Sequence, residues 1–103
     1  MTIIARLVDF IDDELEGAEE YAECAIKHKA ERPRLADKFI ELAETEMNHM
    51  RILHQEAVKL IEEIKQRDGE PPKDMLAVYE YEHAKQTKRA AVITQMIAEY
   101  RNS

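Results

Sequence analysis

The stretch LADKFIELAETEMNHMRIL, residues 35–53, decides how this chain folds. Apolar residues recur at Leu35, Phe39, Leu42 and Leu53, then at Ala57, Leu60 and Ile64, the three-and-four spacing of one face of an α-helix. Two positions in that stripe are ionisable instead: Glu46 and His49. Pro33 suits the first turn of such a helix, where its missing N–H has no partner to lose. Asp68-Gly69 ends the helix, and Pro71-Pro72 prevents its continuation and opens the next one. The spacing predicts a helix over about 33–67, roughly 50 Å long at about 1.5 Å per residue. Compact loops cannot cover an element of that length, so it requires helices of similar length beside it.

The flanking segments supply them. A first helix is predicted over about 3–29, with Leu7, Ile11, Leu15, Ala18, Tyr21, Ala22, Ala25 and Ile26 at helical spacing. A third is predicted over about 72–100, less cleanly amphipathic, with Leu76, Tyr79, Ala84, Ala91, Val92 and Ile97 among its apolar positions. Few glycines and prolines, many Glu, Lys, Ala, Leu and Ile, and 36% charged residues favour helix over strand. The class is all-α: a long antiparallel hairpin plus a third helix, in a single domain. At 103 residues its core is marginal on size grounds, which leads us to expect a homo-oligomer.

A formal charge of −7 repels phosphate backbones and anionic lipid and suits a host for cations, so nucleic acid is not an expected partner. No apolar run approaches the eighteen or so residues of a membrane span, and the N-terminus breaks its apolar residues with charge. We therefore expect neither a signal peptide nor a membrane segment. The lone Cys24 makes no intramolecular disulfide or Cys-based metal site; it fits a cytoplasmic location and is expected to be buried or half-buried.

The chemistry lies where the apolar pattern fails. Along Leu7, Ile11, Glu14, Ala18, Tyr21 and Ala25, Glu14 occupies an apolar slot, as Glu46 and His49 do in the second helix. A buried carboxylate must be protonated, paired or metal-bound, because leaving it uncompensated costs several kcal/mol. Glu and His three apart on one helix point in nearly the same direction, so an oxygen and a nitrogen can reach one divalent ion. One Glu from one helix with Glu-x-x-His from its neighbour is half of a carboxylate-bridged di-metal site. Glu-x-x-His alone is a weak signal, and it recurs at Glu80-Tyr81-Glu82-His83. Two non-metal readings stand beside this one: Glu14 paired with a basic residue at the helix edge, and a Glu46–His49 hydrogen bond that sets helix register. His28 and His54 read as structural, Met47 and Met50 as core filler, and Tyr79, Tyr81 and Tyr100 as packing the third helix onto the hairpin.

The segments Asp13-Glu14-Leu15-Glu16-Gly17-Ala18-Glu19-Glu20-Tyr21-Ala22 and Leu42-Ala43-Glu44-Thr45-Glu46-Met47-Asn48-His49 resemble the rubrerythrin branch of the ferritin-like superfamily. Their spacing is also similar to that of the encapsulated ferritins, in which two half-length subunits build a ferroxidase centre across their interface. The resemblance covers about the first sixty-seven residues. It implies that Glu14, Glu46 and His49 are metal ligands, that Glu46 bridges two ions, that Tyr21 packs below the site and that Glu16 guides incoming metal. Glu80 and His83 stand as secondary ligand candidates. The implied cofactor is di-iron or manganese, with zinc an alternative occupant in a purified sample. The implied activity is that of a ferroxidase or an oxidoreductase fed by an external electron donor, the four-helix bundle being completed by dimerisation. The chain lacks the cysteines of a rubredoxin-like iron module and a second helix pair. The alternative is a non-catalytic helical oligomerisation or interaction module.

Overall fold

The computed structural model describes residues 2–103. It contains three helices: α1 (Thr2–His28), α2 (Pro33–Asp68) and α3 (Lys73–Asn102). Their ends fall within a residue or two of the expected ones, and no strand occurs among the described residues. Pro33 begins α2 in the first turn. Gly69, at φ 83, takes the left-handed conformation that ends it and donates its backbone N–H to the Lys65 carbonyl at 2.9 Å. Among the described residues no helix is long and apolar enough to cross a membrane.

α1 and α2 form the antiparallel hairpin. Ala18, Ala22, Ala25, Ala36 and Ala43 are wholly buried, and these small side chains allow the two helices to approach closely around Leu15 and Ile40. α3 runs parallel to α1 in the groove of the hairpin, and its buried residues, Gln86, Ile93 and Tyr100, fall seven apart along one line of contact. Ile93 enters the main core with Ile11, Leu15, Ala18 and Met47. Tyr100 closes a second cluster with Ala25, Ala36 and Ile40. Full burial of a side chain such as Ile93 contributes about 1.5–3 kcal/mol.

Polar contacts fix the register of α3. Gln86 donates its amide to the Val8 carbonyl at 3.1 Å and to Asp12 at 3.0 Å. At the other end Tyr100 donates its hydroxyl to Asp37 at 2.6 Å, and Arg101 pairs with Glu44. Lys29, in the turn between α1 and α2, donates to the carbonyls of Tyr100 at 2.6 Å and Ser103 at 2.9 Å. A cation thus meets the carbonyl end of α3, where the helix dipole favours it.

In the first half of α2 the core lies one row away from the expected stripe: the buried residues there are Ala36, Ile40, Ala43 and Met47, each one position on from Leu35, Phe39, Leu42 and Glu46 and so turned by about 100°, whereas Ala57 farther along is buried as expected. In α1 the buried row is Ile4, Ile11, Leu15, Ala18, Ala22 and Ala25. The row through Ile3, Leu7, Phe10, Glu14 and Tyr21 lies at its margin. The expected stripes had merged two adjacent rows, one closed by packing and one left open. Three further expectations are corrected: Cys24 is exposed because its position turns away from α2 and α3, Tyr81 is 63% exposed, and Ala84, Ala91 and Val92 face outward because α3 meets the hairpin along only one narrow seam.

Candidate metal centre

Glu14, Glu46 and His49 meet on the open face of the hairpin. One ligand atom from each lies within 4.8 Å of the others, the one such three-residue group among the described residues. α1 supplies Glu14 from its middle turn, and α2 supplies Glu46 and His49 from successive turns of the same face. Nδ1 of His49 lies 3.4 Å from Oε2 of Glu14, close enough for an ion pair but outside hydrogen-bond geometry. The Glu14 oxygen is sealed from solvent and no group donates to it, which sets it apart from the other side chains described. An oxygen in that condition costs about 1–3 kcal/mol.

Glu46 is held above the ordinary carboxylate value of 4.5. The first cause is the Glu14 carboxyl beside it, which as a hydrogen-bond partner favours the protonated form of Glu46. Burial and the Glu14 charge add to it, and His49 acts in the opposite direction. Two carboxylates and an imidazole nitrogen, converging around one acceptor that lacks a donor, fit a divalent cation, which would supply the positive charge that the clustered oxygens lack.

Access comes from the rim. The Glu14 side chain is 24% exposed and that of His49 is 49% exposed. On the same rows Phe10 and Leu42, one turn from Glu14 and Glu46, stand well exposed, as do Ile3 and Leu35 about three turns away. Tyr21 stacks against Phe39 at a ring separation of 6.2 Å, bridging the two helices along the rows that carry the triad.

No family model, curated protein or solved structure matches this chain.

The secondary candidates separate from the triad. Glu16 and Glu80 are exposed and join no three-residue ligand group. His83 stacks on His54 at 4.7 Å and on Tyr79 at 6.1 Å, tying α3 to α2. Burial and the neighbouring His83 push the His54 imidazole below its ordinary value of 6.5. Sequence reasoning passed over Gly17, one of two glycines in the chain. A Cβ there would lie 3.2 Å from Oε2 of Glu46. The signal was a glycine within a helix, three residues from Glu14.

Proposed function

We propose that this chain is a ferritin-like di-metal carboxylate protein: two copies pair through the open face, and two sets of Glu14, Glu46 and His49 together hold iron or manganese for oxidation by O₂ or peroxide. The observation that carries this reading is the sealed, donorless Oε2 of Glu14, facing an imidazole nitrogen, with a second carboxylate completing a group whose ligand atoms lie within 4.8 Å of one another. Isolated, the triad is half of the ligand set that such a centre uses. The apolar side chains left in water beside it, Phe10 at 44% and Leu42 at 43% exposure, supply a surface on which a second copy brings the other half.

Each residue then has a task. Glu14 and Glu46 would supply oxygen ligands to the cation. His49 would supply an imidazole nitrogen at the rim, where a ferrous ion arriving as substrate first meets the site. The acidic surface around Asp12, Asp13, Glu16 and Glu20 draws cations toward it. Bound iron or manganese supplies the redox chemistry.

A second reading keeps the pairing surface and drops the turnover: a non-catalytic helical module. The His49–Glu14 ion pair within one chain favours it, since the triad then partly satisfies itself.

Metal content, thermal midpoint and mass by light scattering separate the two. The proposal expects about one ion per chain after anaerobic loading with Fe²⁺ or Mn²⁺, as a shared di-metal site requires. It also expects dimers or multiples of them, loss of the metal in Glu46→Ala and His49→Ala, and weakened pairing in Leu42→Glu. Metal-free protein whose melting is unchanged by either ion supports the second reading.

A further inference from the structure

Gly17 stands three residues from Glu14 on the same row of α1, well inside the helix. Glycine is a poor choice for a helix interior, because the unfolded backbone loses more freedom there than it would with alanine. The other glycine, Gly69, has a left-handed backbone that explains it; Gly17 has no positive φ and thus no conformational reason. Its surroundings provide one. A Cβ built at position 17 would lie 3.2 Å from Oε2, 3.5 Å from Cδ and 3.7 Å from Cγ of Glu46, so the end of that side chain occupies the space a Cβ would crowd.

We infer that Gly17 is a positioning residue of the metal centre, kept free of a side chain so that the Glu46 carboxylate reaches across to Glu14 and His49. The inference rests on the metal reading above. Any side chain at position 17 displaces Oε2 by a few tenths of an ångström, and metal–ligand distances tolerate only about 0.2 Å. The displaced group is the one that joins the two helices at the site. Gly17 therefore trades helix stability for ligand placement, and its replacement moves the two in opposite directions.

The test uses the full-length chain as wild type, Gly17→Ala, Gly17→Ser, Glu46→Ala and the Gly17→Ala/Glu46→Ala double variant. Mn²⁺ affinity is measured by titration calorimetry, and thermal midpoints are read with and without Mn²⁺. Gly17→Ala is expected to keep or raise the metal-free midpoint while weakening Mn²⁺ binding about tenfold or more, the range seen when groups that orient ligands are disturbed. Gly17→Ser is expected to weaken it at least as much. In the Glu46→Ala background, Gly17→Ala is expected to stabilise more than it does in wild type, because the crowded carboxylate has gone. A Gly17→Ala protein that binds Mn²⁺ like wild type overturns the positioning role and leaves the metal reading standing. So does a metal-free midpoint that falls equally in both backgrounds, since ordinary packing would then account for the glycine. Wild type that takes up neither Mn²⁺ nor anaerobic Fe²⁺ overturns both.

Discussion

Replacing Glu14 by leucine distinguishes a ligand site from a structural ion pair, and the two readings predict opposite signs. In the metal-free protein Glu14 places a sealed oxygen with no donor against a second carboxylate. Removing that oxygen recovers about 1–3 kcal/mol. The lost partner is His49, whose side chain is half exposed at 49%, and an ion pair so open to water contributes about 0–1 kcal/mol. Leucine also adds apolar surface between α1 and α2. The net expectation is a gain of about 1–2 kcal/mol, or roughly 4–16 °C in the midpoint for a domain of this size. Calorimetry and urea denaturation of the metal-free proteins measure it, and Mn²⁺ addition must then raise the wild-type midpoint and leave Glu14→Leu unmoved. A pH series adds a check with a definite sign. Because the folded protein holds the Glu46 proton more tightly than the unfolded chain does, wild type gains stability as pH falls through the raised value toward 4.5. That gain must shrink in Glu14→Leu, which lacks the first cause of the shift. A loss of more than about 1 kcal/mol in Glu14→Leu would refute the reasoning, because breaking a structural ion pair is costly where the partner is left buried.

Ile93→Ala empties the centre of the seam between α3 and the hairpin and is expected to cost about 2–5 kcal/mol by urea denaturation, with α3 the first element to lose protection in hydrogen exchange. Tyr100 is pushed up to about 12, first by burial and then by its bond to Asp37. The unfolded chain ionises first, so stability should hold below about pH 10 and fall as pH rises toward 12, and the fall should be smaller in Tyr100→Phe, followed by circular dichroism. The depressed His54 imidazole works in the other direction: the unfolded chain takes up that proton first, so stability should decline as pH drops below about 6.5, and His54→Gln should flatten the decline in urea midpoints across that window.

The turn residues carried most of what the sequence revealed about the fold. Pro33, Gly69 and Pro71-Pro72 act on their own backbone, so the helix ends they dictate do not depend on tertiary contacts. The triad was legible for a related reason: Glu14, Glu46 and His49 interrupt apolar rows, and a register that packs α1 on α2 brings the interruptions together. In α1 the expected Ile11, Leu15, Ala18, Ala22 and Ala25 are buried, but in the first half of α2 the choice of buried row was not legible. Helical periodicity supports both the Leu35-Phe39-Leu42 row and the Ala36-Ile40-Ala43-Met47 row, and hydropathy weights the larger side chains. Packing favours the smaller ones, because alanines let two long helices approach and α3 then closes that side. His83 and Tyr100 found partners in His54 and Asp37 on another helix, which no pattern local to α3 could identify.

Three features of the isolated chain run against its own stability, and all three fall on one face. Glu14 keeps a sealed oxygen without a donor, Gly17 weakens the middle of α1, and Phe10 and Leu42 leave apolar surface in water. The seam with α3 is packed, with alanines in close contact, a filled core at Ile93 and satisfied polar groups at Gln86 and Tyr100. Apolar side chains also stand exposed elsewhere, Val58, Val78 and Val92 among them, so it is Glu14 and Gly17 that single this face out. Their convergence around three ligand-type side chains is what selection for a bound group would leave behind, since a cation and a second copy would remove the first and third costs together and give the second its reason.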